Sequence, residues 1–289
     1  MNEYVTYENL KDFLKIDSTD IADDTLLKGF CTEASRLFDA ETHRIFYPLI
    51  ATKYWDHPRD DDTRLMLGED LLAVSVFTTQ NGDVTITAAQ YFVMCGADYN
   101  LTPYDRIVLK SDGSRPNLLY SGTIQQANAV TGTWGYHEDW ANAWQDSNDT
   151  VQDTGGINAS VTTVTVTDVD GADIYGFTPR FKVQQTIQID SEWLYITGKN
   201  TSTNALTVRR GINGSTAAAH DKSTSITIYQ PAWDVVQATK RLAAWLYGQK
   251  DQPYTERVQA AQAGLIVIPE AAPPDVKRVA LRYKRRSLL

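Results

Sequence analysis

The sequence predicts an α+β protein. A small helical bundle drawn from both chain ends is interrupted by two antiparallel β-rich insertions, sandwich- or barrel-like. Three observations carry this. Apolar residues recur at three- and four-residue steps near both ends of the 289-residue chain. Between them, short runs rich in Val, Thr and Ile alternate with polar residues and are broken by Gly, Asn and Asp. Neither helical end is long enough to bury its stripe alone, so residues 1–50 are expected to pack against 231–285. The division is 1–50 helical, 51–145 β-rich, 146–230 a second small β unit, and 231–289 helical with a basic tail.

In chain order, Thr6 caps a short helix, YENLKDFLK, with Leu10, Phe13 and Leu14 on one face. After the turn IDSTDIADD, a long helix opens on acids, which suit a helix N-terminus. Its stripe is Leu27, Phe30, Ala34, Leu37 and Phe38, and it ends near Arg44 before Pro48. TKYWDHPR then reads as an extended segment. LLAVSVFTTQNGDVTITAAQYFVM reads as a hairpin turning at Asn81-Gly82-Asp83. IVLK and AVTGTWGY add strands, separated by turn residues in DGSRPN. The polar stretch QDSNDTVQDTG, 145–155, reads as a linker. VTTVTVTD, QQTIQID, EWLYIT, ALTVRRG and SITIYQ form the second unit. Helical spacing returns after Pro231, with Val235, Ala238, Thr239, Leu242 and Leu246 on one stripe up to Pro253. A short helix, YTERVQAAQ, and an extended LIVIP follow. The last segment has Val276, Val279, Ala280 and Tyr283 as its apolar face.

Charge narrows the function. The net charge is −9, against the basic surface expected of a protein that grips nucleic acid. Cys31 and Cys95 make neither a disulfide framework nor a zinc site and read as buried thiols. The first residues lack a signal-type apolar run, and no run approaches the ~20 residues that span a bilayer. The expectation is a protein made and kept in a cytoplasm, or in a particle assembled there, with no membrane contact. Residues 275–286 invert the sign: Lys277, Arg278, Arg282, Lys284, Arg285 and Arg286 against Asp275 make +5, leaving −14 elsewhere. Either this tail complements its own acidic body, or it docks into an acidic groove of a partner or on DNA. The apolar stripe favours a partner.

Catalytic patterns are weak. His43, His57, His137 and His220 sit in no metalloprotease frame, and no phosphate-loop or nucleophile-elbow motif occurs. DHPRDDD, Asp56–Asp62, gathers carboxylates and a histidine but lacks calcium-loop spacing and reads as a solvated acidic loop. The chain is therefore expected to be no enzyme and to carry no cofactor or metal. Trp134, Tyr136, Trp140 and Trp144 read as core or subunit-interface aromatics. The alternative is a carbohydrate- or receptor-binding β module. ALTVRRGINGSTAAAH, 205–220, looks like a phosphate cradle. Strand alternation separates Arg209 from Arg210, and the loop reads as a hairpin turn with Gly211 and Gly214 at positive φ.

Several of these pieces resemble the head-to-tail connector, or adaptor, proteins of tailed bacteriophages. The opening is similar to that family's short helix, acidic turn and long helix, with Ala34, Ser35, Phe38, Asp39, Thr42, Arg44 and Phe46 on its pattern. RLMLGEDLLAVSVFTTQNGD, YDRIVLK and VTGTWGY resemble the β insertion of the larger members, and PPDVKRVALRYKRRSLL the family's last helix and basic end. IDSEWLYITG and ALTVRRGINGSTAAAH resemble a small module of phage structural proteins. Many adaptors are much shorter. The resemblance implies a ring, commonly of twelve subunits, between the portal protein and the stopper or tail-completion protein at the virion neck. DNA would pass through the ring's channel without sequence-specific binding. It also implies portal docking by Lys277, Arg278, Arg282, Tyr283, Lys284, Arg285 and Arg286.

Overall fold

The computed structural model describes residues 1–110, 117–250 and 272–285. Its architecture is α+β, with two antiparallel sheets and, among the described residues, four α-helices. The expected helix YTERVQAAQ, the run LIVIP, Pro253 and most of DGSRPN lie outside the described residues.

Helix α1 (Tyr7–Leu14) starts where predicted: the Thr6 hydroxyl accepts the Asn9 N–H at 3.2 Å. It stops at Lys15, which takes the left-handed conformation. Helix α2 (Asp24–Thr42) buries Leu27, Cys31, Ala34 and Phe38. Phe13 and Leu37, expected on the buried stripes, are exposed. Helix α3 (Trp233–Gln249) buries Val235, Ala238, Thr239, Leu242 and Ala243. Helix α4 (Pro274–Tyr283) begins with a proline in its first turn and buries Val276, Ala280 and Tyr283. One apolar cluster takes residues from all four helices, together with Tyr4, Val5 and Phe46. Phe46 is its centre, with edge-on or tilted contacts to Tyr4, Phe38, Tyr136 and Tyr283 at 5.4–5.7 Å.

The first sheet comprises β1 (Leu49–Trp55), β2 (Arg64–Thr79), β3 (Val84–Thr85), β4 (Tyr91–Cys95), β5 (Asp98–Tyr99), β6 (Tyr104–Leu109) and β7 (Asn128–Trp134). Its order is β1-β7-β2-β6-β4-β5, with β3 on β2. The turn at 80–83 does return the chain, but only two residues of β3 pair with β2, and β4 crosses to pair with β6. The second sheet comprises β8 (Trp144–Thr150), β9 (Thr163–Thr165), β10 (Thr186–Ile189), β11 (Glu192–Asn200), β12 (Ala205–Arg209) and β13 (Ser225–Tyr229), ordered β8-β13-β10-β11-β12-β9. Both orders run between two edge strands, so neither sheet closes into the barrel that was one expectation.

Two further expectations are corrected. Residues 145–150 are strand rather than linker, because Ser147 and Asp149 face inward and their polarity is satisfied there. Ser147 donates to Ile226 O at 2.6 Å, and Asp149 accepts the Thr150, Thr167 and Asp168 N–H groups and pairs with Arg180 at 3.2 Å. Residues 205–220 are not a hairpin. β12 pairs with β11 and β9, whereas β13 pairs with β10 and β8, so the intervening loop is a crossover. That loop reaches the first sheet: the Ile50 N–H donates to Asn213 O at 2.8 Å. A Cβ on Gly214 would run into the Ile50 carbonyl, so only glycine fits there. No helix among the described residues is long and apolar enough to cross a membrane.

Candidate functional site

The basic C-terminal segment is the strongest functional signal in the sequence, and the structure folds it onto its own chain. Tyr283 is buried, and its hydroxyl donates to Asp234 at 2.6 Å. Burial and then the Asp234 charge push its phenol well up. Arg282 pairs with Asp234 at 3.3 Å, and Lys284 with Glu41 at 3.3 Å. The Arg285 N–H continues α4 onto the end of α2 by donating to Thr42 O at 2.9 Å. The Arg285 guanidinium donates to Gly68 O and to Asp70, each at 2.6 Å. Arg44 reaches the same Asp70 carboxylate and donates from Nε to Tyr283 O at 2.7 Å. Asp70 thus bridges an arginine from each end of the chain.

This changes the docking expectation. The apolar stripe Val276, Ala280 and Tyr283 is spent in the chain's own core and is not offered to a partner's groove. Arg282, Tyr283, Lys284 and Arg285 have partners within the chain. Lys277, Arg278 and Arg282 lie on the exposed side of α4, and Arg286 lies outside the described residues. The acids that draw in the tail, Glu41, Asp70 and Asp234, are far away in sequence, so a count of charge within residues 275–286 cannot detect them.

Beside this junction opens a cleft of about 430 Å³ between the end of α2, β1, β2 and Arg285. Its charges are matched: Lys53 pairs with Glu69, and Arg44 and Arg285 with Asp70. Asp39, also on its wall, accepts the Tyr4 hydroxyl at 2.5 Å and pairs with Arg36 at 3.1 Å. Burial raises the Asp39 carboxyl to about 6 against the pull of those two donors. The stretch Asp56–Asp62 is not gathered into a site. Asp56 accepts the Gln126 N–H, Asp61 binds Thr63, and the His57 ring lies 5.2 Å from Tyr120. Among the described residues, no group of three or more His, Cys, Asp or Glu side chains is placed to hold a metal ion.

The four candidate interface aromatics occupy three settings. Trp134 is fully buried in the first sheet's core, and its indole N–H donates to Ala51 O at 2.9 Å. Tyr136 packs on the helical core between Phe46 and Tyr283, with the Arg44 guanidinium 4.6 Å from its ring. Trp140 and Trp144 form a half-buried group, in which Trp144 stacks on Trp193 at 5.8 Å and touches Tyr229 at 5.3 Å. All four are engaged within the chain.

ALTVRRGINGSTAAAH also resolves into internal contacts. Arg209 is exposed, while Arg210 lies inside and meets both oxygens of the fully buried Glu192 at 2.6 Å. Arg210 also donates to Asn158 O, Val161 O and Ala218 O. Glu192 accepts the Gly211 and Ala218 N–H groups at 3.0 Å. The His220 ring nitrogens lie 2.7 Å from Asp190 and 2.9 Å from Glu192. Burial would raise the Glu192 carboxyl, but its hydrogen bonds from Arg210, Ala218 and His220 outweigh that and hold it below its ordinary value. The group resembles a catalytic cluster in composition, yet its donors and acceptors are consumed in holding the crossover loop. Glu192 was missed from sequence. Its signal was an acid opening the hydrophobic strand run EWLYI, with an arginine, Arg210, continuing the inward phase just past β12.

Comparison with family models, with curated proteins and with solved structures gives no match for this chain.

Proposed function

We propose that the chain is a structural adaptor of a tailed-phage neck rather than an enzyme. It would form a ring between the portal and the stopper or tail, through which DNA passes. The observation that carries this reading is the arrangement of the helices. Segments from the two ends of the sequence share one core centred on Phe46, and both sheets are carried between them. On this reading the helices act as a small bundle that serves as the hub. The sheets provide separate faces for neighbours above, below and alongside. The family-like positions Ala34, Ser35, Phe38, Asp39, Thr42, Arg44 and Phe46 lie in or beside the hub, which supports the resemblance. The acidic balance of the chain suits a conduit that must not hold DNA. The exposed side of α4, Arg278 foremost, is placed to meet an acidic partner.

Electron microscopy of particles carrying a tagged copy tests this. The expected result is density for the chain in a ring under the portal. A tag found elsewhere on the particle, or absent from purified particles, overturns the adaptor reading.

A further inference from the structure

The second β unit carries a loop that departs from the behaviour of an ordinary surface turn. In the sequence DVDGADIYGFTPR, 168–180, three large apolar side chains face solvent: Ile174 at 56%, Tyr175 at 72% and Phe177 at 69% exposure. The loop is tightly braced. One Asp173 carboxylate oxygen accepts the N–H groups of Tyr175 and Phe177, each at 2.9 Å, and the other accepts the Gln145 side-chain amide of β8 at 2.9 Å. The Asp173 N–H donates to Phe177 O at 2.9 Å, and the Gly176 N–H returns to Asp173 O at 3.0 Å. At the base, the Arg180 N–H closes onto Gly171 O at 2.9 Å. Grouped apolar exposure of this kind marks an interaction site. Bracing removes most of the ordering cost that binding would otherwise incur.

The knob carries Asp168, Asp170 and Asp173; of the cations that follow it, Arg180 pairs with Asp149 and Lys182 donates to Asn9 at 2.7 Å. Its complement is an apolar surface bordered by cations, and α4 presents one. Leu281 is 63% exposed on the side of the helix that carries Lys277, Arg278 and Arg282. The Arg282–Asp234 pair ties this end of α4 to the start of α3, where Trp233 is 76% exposed. Arg278 is exposed and has no ion-pair partner among the described residues.

We propose that the 171–180 knob of one copy docks on the outer face of α4, around Leu281, Arg278 and Trp233, of a second copy. The two patches differ, so the contact is heterologous: every copy offers one knob and one receiving face, and assembly continues until a ring closes. This rests on the adaptor reading only for the ring. It reassigns the outward cations of α4 from the portal to the neighbouring subunit.

The test is sedimentation of the full chain between about 1 μM and 1 mM, a range that spans weak protein contacts. Wild type is expected to grow beyond a dimer with concentration, and to do so less readily in high salt. A knob variant, Tyr175→Ser with Phe177→Ser, and a face variant, Arg278→Glu with Leu281→Ser, should each weaken association by about tenfold or more, because truncating anchor side chains typically costs that much. All four positions are exposed, so both variants should keep the wild-type melting curve. Mixed in equal amounts, the two variants should give a dimer and nothing larger, since one sound knob meets one sound face. A wild type that stays monomeric, a knob variant that assembles normally, or a mixture that does not dimerise each overturns the proposal. Loss of portal binding in the face variant with self-association intact overturns it too, and leaves the adaptor reading standing.

Discussion

The helical core and the second sheet are closed by opposite means. The helical core is sealed by aromatic rings: Phe46 sits among Tyr4, Phe38, Tyr136 and Tyr283, and, apart from the buried Lys11 that meets Asp24, its ion pairs lie at the margin. The second sheet buries apolar strand residues as well, but its long loops are held by charges taken inside. Arg210 and His220 meet Glu192, and Arg180 meets Asp149. Apolar packing tolerates exchange among residues of similar volume. A buried ion pair tolerates loss of both partners better than loss of one. The two regions should therefore fail differently when altered.

The largest effect is expected from deleting residues 272–289. This uncovers the faces of α2 and α3 that meet Val276, Ala280 and Tyr283, and should cost more than about 5 kcal/mol, beyond the usual range for one buried side chain. Hydrogen exchange is the measurement: protection should vanish in α2 and α3 while β10 and β11 keep theirs. Equal loss in both regions would erase the distinction between them. Next, Arg210→Ala should cost about 3–5 kcal/mol by taking the guanidinium from the buried Glu192 carboxylate, whereas Arg210→Met with Glu192→Leu should cost less. Urea melts of the single and double variants decide this.

A smaller effect separates the regions by pH. Asp39, at the edge of the helical core, has a folded-state carboxyl raised by burial to about 6. The folded state therefore binds its proton more tightly than the unfolded chain, and stability should fall as pH rises from about 4 to about 6, by about 1–3 kcal/mol. Glu192 is shifted the other way. Its contribution is present above the ordinary carboxylate pKa and is lost as pH falls through its lowered folded value. Urea midpoints measured between pH 4 and 7 should show a slope that Asp39→Asn flattens. The smallest effect is Lys284→Ala, an exposed pair with Glu41, expected within about 0.5 kcal/mol by the same melts.

The contrast also explains what could be read from the sequence. The apolar stripes of α2, α3 and α4 repeat every few residues, so they show in any local window. The strands of the second sheet show by alternation for the same reason. β8 was hidden because its inward positions are Ser147 and Asp149, and only partners such as Arg180 and the backbone of 167–168 make those positions inward-facing. The crossover at 210–224 was hidden because β12 and β13 follow one another in sequence but are separated by β11 and β10 in the sheet. The sign inversion of α4 was plain. Its pairing with Glu41, Asp70 and Asp234 depended on a fold that brings the two ends together.

Where Gly214 rests on Ile50, the crossover loop of the second sheet meets the first sheet main chain to main chain. The close approach admits no side chain on Gly214, and beside it the Ile50 side chain packs on Trp193, Tyr195 and Ile212 of the second unit. The placement of one sheet against the other is then inherited with this glycine and the buried patch around it. In a repeating assembly this has a consequence for variation. The outer faces are free to diversify toward new neighbours while the spacing from one copy to the next is conserved.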